Sequence, residues 1–239
     1  MKVRQFGERR GAAGRARDGG ETQMLSEKEK QLAKWVPKTA LGRKVLAGEI
    51  TDINQIFEKN MVILEPEIVD KLLQLEEKIV DIQKTTRVIA AGRQFSFRVA
   101  VIVGNRNGFV AVGTAKDAEK WPAIRKATRN AKLNLVKVRR GCGSWQCACG
   151  STHSVPFKVT GKNASVRVTF LPGPKGIGLV TGKNIRDILI LAGISDVWTQ
   201  VKGSTDTKLN FVQAAIDALS RTTKMRLSDD INKKAESDR

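Results

Sequence analysis

Residues 93–103 read RQFSFRVAVIV and residues 109–113 read FVAVG, with GNRNG at 104–108 between them. Phe95, Phe97, Val99, Val101 and Val103 alternate with smaller or charged residues, which is the period of a strand with one buried face. Asn and Gly tolerate the positive φ of a tight turn, so the three pieces predict an antiparallel hairpin. Past Lys116 the period lengthens. Trp121, Ile124, Thr128, Ala131 and Leu135 fall along one stripe of a helix, with Pro122 tolerable in its first turn. The other face carries Arg125, Arg129 and Lys132 in one line, flanked by Lys126 and Lys137 and followed by Arg139 and Arg140. Between residues 83 and 160 there are 15 Lys and Arg against 2 acids, so 15 − 2 = 13 of the chain's 19 net positive charges lie there.

Working upstream, Pro66 suits a first helical position, and Ile68, Leu72, Leu75, Ile79 and Ile82 keep helical spacing. They predict one amphipathic helix whose outer face, bearing Asp70, Glu76, Glu77 and Asp81, is too acidic to meet phosphates. Residues 83–91 then predict a strand. Helix, three strands and helix form the outline of a double-stranded-RNA-binding domain, which reads RNA by shape and phosphate contacts. Two short helical pieces, at 39–46 and 52–57, precede it. Residues 1–24, rich in Arg, Gly and Ala, cannot repay ordering by burial and predict an extended arm able to order on RNA phosphates.

The whole chain has 239 residues, a formal charge of +19 and a pI near 10.2. Charge this concentrated exceeds what solubility needs and favours a polyanionic partner, nucleic acid before anionic membrane. No apolar run approaches the ~20 residues of a spanning helix, and no signal-peptide core is visible, so a soluble intracellular protein is predicted. Three cysteines argue against a secreted disulfide framework. All three lie in CGSWQCACGSTH (residues 142–153), beside the only histidine. Cys142, Cys147, Cys149 and His153, spaced C-x4-C-x-C-x3-H, can converge on one tetrahedral zinc, and Gly143 and Gly150 let the backbone wrap it. Four protein ligands leave no open position, so such a site is structural.

A second domain begins with Val155, Phe157 and Val159 alternating against Val166, Val168 and Phe170, joined through 161–163. The glycine-rich LPGPKGIGLVTGKN (residues 171–184) follows. It misses the phosphate-cradling signature of nucleotide hydrolases, because Gly178 and Gly182 enclose three residues and Asn184 stands where a Ser or Thr is needed. Beyond it Ile185, Ile188, Leu189 and Ala192 stripe a helix with Asn184 as cap and Gly193 as stop, and an anion can sit at its N-terminus beside Lys175 and Lys183. A strand at 194–201 and a helix bearing Leu209, Val212, Ile216 and Leu219 complete the pattern.

The motifs GRQFSF (92–97), GNRNG (104–108) with residues 113–116, AKLNL (131–135), LPGPKGIG (171–178) and LAGI (191–194) together resemble the universal small-subunit ribosomal protein five family, whose eukaryotic counterpart is named protein two. The resemblance runs from about residue 39 to 222 and is most similar to archaeal members, to which the cysteine cluster also looks confined. It implies an α+β chain: a double-stranded-RNA-binding-like first domain, then a C-terminal α+β domain with a left-handed β-α-β crossover. The implied boundaries are a basic N-terminal extension at 1–60, flexible at its start, domains at 61–141 and 155–222, a Cys/His loop at 142–154, and a charged tail at 223–239.

It further implies a non-enzymatic structural constituent of the cytoplasmic small ribosomal subunit, seated on rRNA near the side where mRNA enters, beside ribosomal proteins four and eight. A role in decoding accuracy, no membrane and no homo-oligomer belong to the same expectation. The family's rRNA-contacting hairpin maps onto residues 85–93, with Ala90 and Ala91 where bacterial members usually carry Lys and Gly. Expected RNA contacts are Arg87, Arg93, Gln94, Ser96, Arg98, Arg106, Asn107, Lys116, Lys120, Arg125, Lys126, Arg129, Lys132, Lys137, Arg139, Arg140, Lys175 and Lys183. The alternatives are a free-standing double-stranded-RNA-binding regulator, which would lack the specific second domain, and a zinc enzyme on nucleic acid. The latter has no general base left once His153 is a ligand.

Overall fold

The computed structural model describes residues 35–147 and 149–225; the expected N-terminal arm at 1–24 and all but the start of the expected charged tail lie outside them. Two short helices open the described chain, α1 (Ala40–Ala47) and α2 (Ile53–Glu58). Then come α3 (Pro66–Leu72), β1 (Glu76–Ile89), β2 (Gly92–Gly104), β3 (Phe109–Asp117), α4 (Lys120–Leu133) and a two-residue β4 (Val136–Lys137). The strands form one antiparallel sheet in the order β1-β2-β3-β4.

The helix expected to run from Pro66 to Ile82 stops at Leu72. Leu73 is extended, and Ile79 and Ile82 pair in register with Val101 and Val99. Helical spacing there coincided with strand content, and thirteen backbone pairs to β2 outweigh a propensity worth tenths of a kcal/mol per residue. A register shift between Ile79 and Asp81 bends this long β1.

Val99, Val101, Val103, Phe109 and Ala111 turn one sheet face into a core with Ile68, Val69 and the alanines of α4. The expected α4 stripe is displaced: Trp121 is 68% exposed, while Ala123, Ala127, Thr128, Ala131 and Lys132 are buried. Backbone proximity explains the displacement. A Cβ on Gly113 of β3 would sit 2.1 Å from the Ala127 carbonyl oxygen, so helix and strand touch main chain to main chain and only alanine fits at the seam.

The second sheet has the order β5-β6-β8-β7, from β5 (Val159–Asn163), β6 (Val166–Pro172), β7 (Leu179–Val180) and β8 (Val197–Lys202). The β5-β6 turn falls at Ala164 and Ser165, two residues later than expected, because Gly161 pairs with Val168 inside the ladder. Helix α5 (Lys183–Ala192) connects β7 to β8, which pair in parallel, a β-α-β unit. Its N-cap is Gly182 with no side-chain bond, not Asn184; Gly193 ends it in the left-handed conformation as expected. Helix α6 (Lys208–Lys224) lies on β5 as α4 lies on β3, with Gly161 under Ala214 and Ala218.

The two halves share a wall. Ile102, Val110 and Val138 belong to the second core together with Phe170, Leu189 and Val212, so the first sheet is covered on both faces. Main-chain bonds cross the seam from Arg106 N–H to the Leu191 carbonyl (2.8 Å) and from Gly108 N–H to that of Ala192 (3.1 Å). Ion pairs Lys78–Asp187 (2.6 Å) and Lys208–Asp81 (2.9 Å) close its edge.

Candidate nucleic-acid interface and metal-ligand cluster

Beyond Lys84, opposite Phe97 where β3 ends, the β1-β2 hairpin outruns its neighbours and stands as a ribbon closed by Ala90 and Ala91. Residues opposite one another in an antiparallel pair project from the same face. Register therefore sorts the expected contacts. Arg87 lies opposite Gln94, Thr85 opposite Ser96, Gln83 opposite Arg98, and Arg98 opposite Lys116 of β3. Arg87, Gln94, Ser96, Arg98 and Lys116 thus share one face, and Thr85 and Ser96 hydroxyls meet at 2.8 Å between them. Arg93 lies on the opposite face, where Lys84 stacks 3.9 Å over the Phe95 ring. Val88 and Phe95 stay 74% and 47% exposed on this tip.

On α4, Arg125, Lys126 and Arg129 are exposed as expected, and Lys120 joins them at the first turn. Lys132 is not. Helix α3 runs alongside, and its Glu67 and Asp70, one turn apart, face Arg129 and Lys132. Lys132 Nζ sits 2.8 Å from Asp70 and 3.8 Å from Glu77, with its side chain 11% exposed. The acids expected on an outer face away from phosphates are the partners of basic residues: Glu76 binds Arg106 at 2.7 Å and Asp81 binds Lys208. Asn107 accepts from Arg140, whose other nitrogen reaches the Gly193 carbonyl, and Arg139 N–H donates to Thr222 Oγ1 (3.0 Å). These residues, with Lys137 in β4, brace the seam between the halves. Lys175 and Lys183 are exposed on either side of β7.

Downstream of the seam, Gly141 and Ser154 exchange two main-chain bonds (2.8 and 3.0 Å), which closes the base of the 142–153 loop. Gly143 has no alternative at its place, since a Cβ there would lie 2.1 Å from the Pro156 oxygen. The closure brings the four expected ligands together: one atom each from Cys142, Cys147, Cys149 and His153 lies within 4.8 Å of all the others. A tetrahedron with metal–sulfur bonds of ~2.3 Å needs edges of roughly 3.8 Å, so shifts of about an ångström in the thiols would close it. Now the cluster is held by weaker bonds. Cys142 Sγ donates to the Cys147 carbonyl (2.8 Å) and Cys147 Sγ lies 3.9 Å from His153 Nε2. Burial raises the Cys142 thiol pKa, whereas the Ser151 hydroxyl and N–H beside the exposed Cys149 draw its thiol down to about 6.

A further residue, unnoticed in the sequence, completes this cluster. Asp196 Oδ2 binds His153 Nδ1 at 2.8 Å and its Oδ1 accepts from Gly176 N–H (3.1 Å) and Gly178 N–H (2.8 Å). Burial opposes the charge of this 4% exposed carboxyl, but the Gly178 N–H and the histidine more than offset it and hold the pKa below the usual value. The signal available in the sequence was one acid inside the apolar ISDVW run of 194–198. An aspartate at a strand start is common, so that signal alone does not separate it from a cap.

Comparison with known proteins agrees with both halves. The family description "Ribosomal protein S5, N-terminal domain" matches residues 75–139 and "Ribosomal protein S5, C-terminal domain" matches residues 161–235. Among named relatives, the small ribosomal subunit protein uS5 of Methanosphaera stadtmanae is 53% identical over 196 residues, 82% of this chain and 86% of its own. That of Methanobrevibacter smithii is 52% identical, covering 82% and 92%, and that of Staphylothermus marinus is 51% identical, covering 81% and 91%. With both family domains matched in order and half of all aligned residues identical over four-fifths of its length, the chain belongs to the ribosomal protein S5 family.

Proposed function

We propose that this chain is a structural, non-enzymatic constituent of the cytoplasmic small ribosomal subunit that binds rRNA through phosphate contacts. It sits where mRNA enters, beside ribosomal proteins four and eight, and contributes to decoding accuracy. The observation that carries this reading is the row of cations on one ribbon face, Arg87, Arg98 and Lys116, together with the exposed Lys120, Arg125, Lys126 and Arg129 of α4, which packs on the sheet's other face. No acid among the described residues pairs with the ribbon cations, so they stay available to phosphates, each worth a slope of ~0.7–0.9 in log affinity against log salt. Arg93 at the tip, and Lys175 and Lys183 beside α5, extend the surface to other faces. Domains at 61–141 and 155–222 around the 142–154 loop are part of the same reading.

The Cys3His group takes a structural zinc. Soft thiolates plus one imidazole, with the imidazole's second nitrogen on a carboxylate, is the donor set of a closed tetrahedral site. Cosedimentation with small subunits in high salt tests the ribosomal reading: retention is expected, and complete release at salt that leaves other subunit proteins bound would sink it. Metal analysis beside a Cys147→Ser, Cys149→Ser variant tests the zinc: about one per chain is expected, and less than about a tenth would leave only reduced thiols.

A further inference from the structure

We propose that Asp196 makes the Pro174–Gly178 loop a reporter of metal at the Cys3His cluster. This deepens, and rests on, the zinc reading above. The chain of contacts is short. A metal on His153 Nε2 obliges Nδ1 to carry the proton, and Nδ1 faces Asp196 Oδ2 at 2.8 Å. The other oxygen of the same carboxylate holds Gly176 and Gly178 by their N–H groups. His153 is also tied to this strand start through its main chain, its carbonyl accepting from Ser195 N–H (2.9 Å) and Asp196 N–H (3.1 Å).

Besides Asp196, two main-chain bonds hold the loop, from Ile177 N–H to the Pro174 carbonyl (3.4 Å) and from Val197 N–H to the Gly178 carbonyl (3.2 Å), and neither engages the N–H groups of Gly176 or Gly178. Gly176 and Gly178 both adopt left-handed backbone (φ +91° and +72°), a Cβ on either would meet nothing within 4 Å, and Lys175, Gly176 and Ile177 are exposed. The strand that follows, β7, pairs with β8 over two residues only, Leu179 with Val197 and Val180 with Trp198. Without metal, Nδ1 still donates to the carboxylate, but the ring has no anchor at Nε2, so it can turn about its side-chain bonds and the hydrogen bond to Asp196 weakens. With metal, the remaining thiol protons pass to solvent, the imidazole becomes a fixed, polarised donor, and the carboxylate is locked in the orientation that receives both glycines. Asp196 is a positioning residue, and the exposed Lys175 is what it positions, so the state of the cluster sets where one cation of the second domain stands. The consequence reaches the RNA-facing surface without any change in either core.

Hydrogen exchange on the full chain decides it, measured after chelation and again with one equivalent of zinc chloride, with bound zinc counted in each sample. Zinc is expected to slow exchange at Gly176 and Gly178 about tenfold or more, the effect of one charge-assisted hydrogen bond. Strand residues 99–103 serve as the folding control and should not change. His153→Cys supplies a fourth thiolate, so it should still bind zinc, yet zinc should no longer protect the two glycines. Asp196→Asn should lose the protection and bind zinc ~10–100-fold more weakly. If zinc binds at one per chain and exchange at Gly176 and Gly178 stays the same, or if His153→Cys keeps the protection, the coupling is wrong while the metal site stands. If no zinc binds, the metal reading falls and the coupling with it. Protection gained equally at 99–103 would mean general stabilisation, and would also overturn it.

Discussion

Lys132→Met is the sharpest test of how this chain divides its positive charge. Spacing places Lys132 on one line with Arg125 and Arg129, as if all three faced phosphates, but the fold gives it two carboxylates, Asp70 at 2.8 Å and Glu77 at 3.8 Å. Methionine keeps the buried stem and deletes only the charge. Breaking a fully buried pair costs ~3–5 kcal/mol because the surviving charge is stranded, whereas an exposed pair is worth ~0.2–1 kcal/mol. Here the side chains are 11% exposed for Lys132, 25% for Asp70 and 36% for Glu77, so water partly rescues the acids. An intermediate loss of about 2 kcal/mol follows, a fall in Tm of roughly 4–8 °C for a chain of this size. The salt dependence of binding to an rRNA fragment should be unchanged, since no phosphate contact is lost. In contrast, Arg125→Met with Arg129→Met should leave Tm nearly in place and flatten the slope by roughly 1.5–2. A Lys132→Met protein that melts within a degree of the parent and loses a full unit of slope would refute this division.

Replacing Arg87, Arg98 and Lys116 together by Gln should flatten the same slope by roughly two to three; an unchanged slope in a folded protein would remove the ribbon face from the RNA surface. Gly113→Ala and Gly161→Ala each force a Cβ to within 2.1–2.3 Å of helix main chain, so each should cost about 3 kcal/mol or more in denaturant unfolding, and a loss below 1 kcal/mol would contradict the close approach. The Asp81 carboxyl is held below its ordinary 3.8 chiefly by the Lys208 hydrogen bond, so the folded state binds protons less readily than the unfolded one. Its contribution is therefore complete at neutral pH and is lost as pH falls through 3.8 and below. The Tm difference between the parent and Asp81→Asn should shrink between pH 7 and about pH 3; an equal difference at both would show that the Lys208 pair contributes nothing.

Hairpins with glycine-asparagine turns and alternating valines were legible because both signals are local: β2, its turn and β3 fall where residues 93–113 place them. The ends of elements decided by tertiary pairing were not. Ile68, Leu72, Leu75, Ile79 and Ile82 satisfy a helical period and, from Ile79 on, a strand ladder as well, and only the neighbouring β2 chooses between them. The α4 stripe fails for a related reason: Trp121 is the most apolar candidate, but the main-chain contact over Gly113 selects alanines. In the metal cluster the four ligands were readable, because Cys and His are scarce and close in sequence. Asp196 was not readable, because it stands 43 residues from His153 and aspartate has many ordinary uses.

The shared wall between the halves carries a consequence for RNA binding that neither half has alone. A double-stranded-RNA-binding sheet normally needs only one face covered, yet here Ile102 and Val110 point into the second core. Two domains on a flexible linker would present their cations as two weak sites joined by an effective concentration in the millimolar range. A wall of buried aliphatic side chains, crossed by the Arg106 and Gly108 main-chain bonds and edged by two ion pairs, removes that freedom before RNA is met. The ordering entropy is then met during folding, so the phosphate contacts proposed for the ribbon, α4 and Lys183 would act as one rigid array. At the seam Arg106 and Arg139 bond through their main-chain N–H groups, to the Leu191 carbonyl and the Thr222 hydroxyl, while the Arg140 side chain joins Asn107 to the Gly193 carbonyl and the Arg106 guanidinium takes Glu76. The Arg140 guanidinium serves the joint between domains, whereas on the proposed reading the ribbon and the outer face of α4 keep their charge for the polyanion.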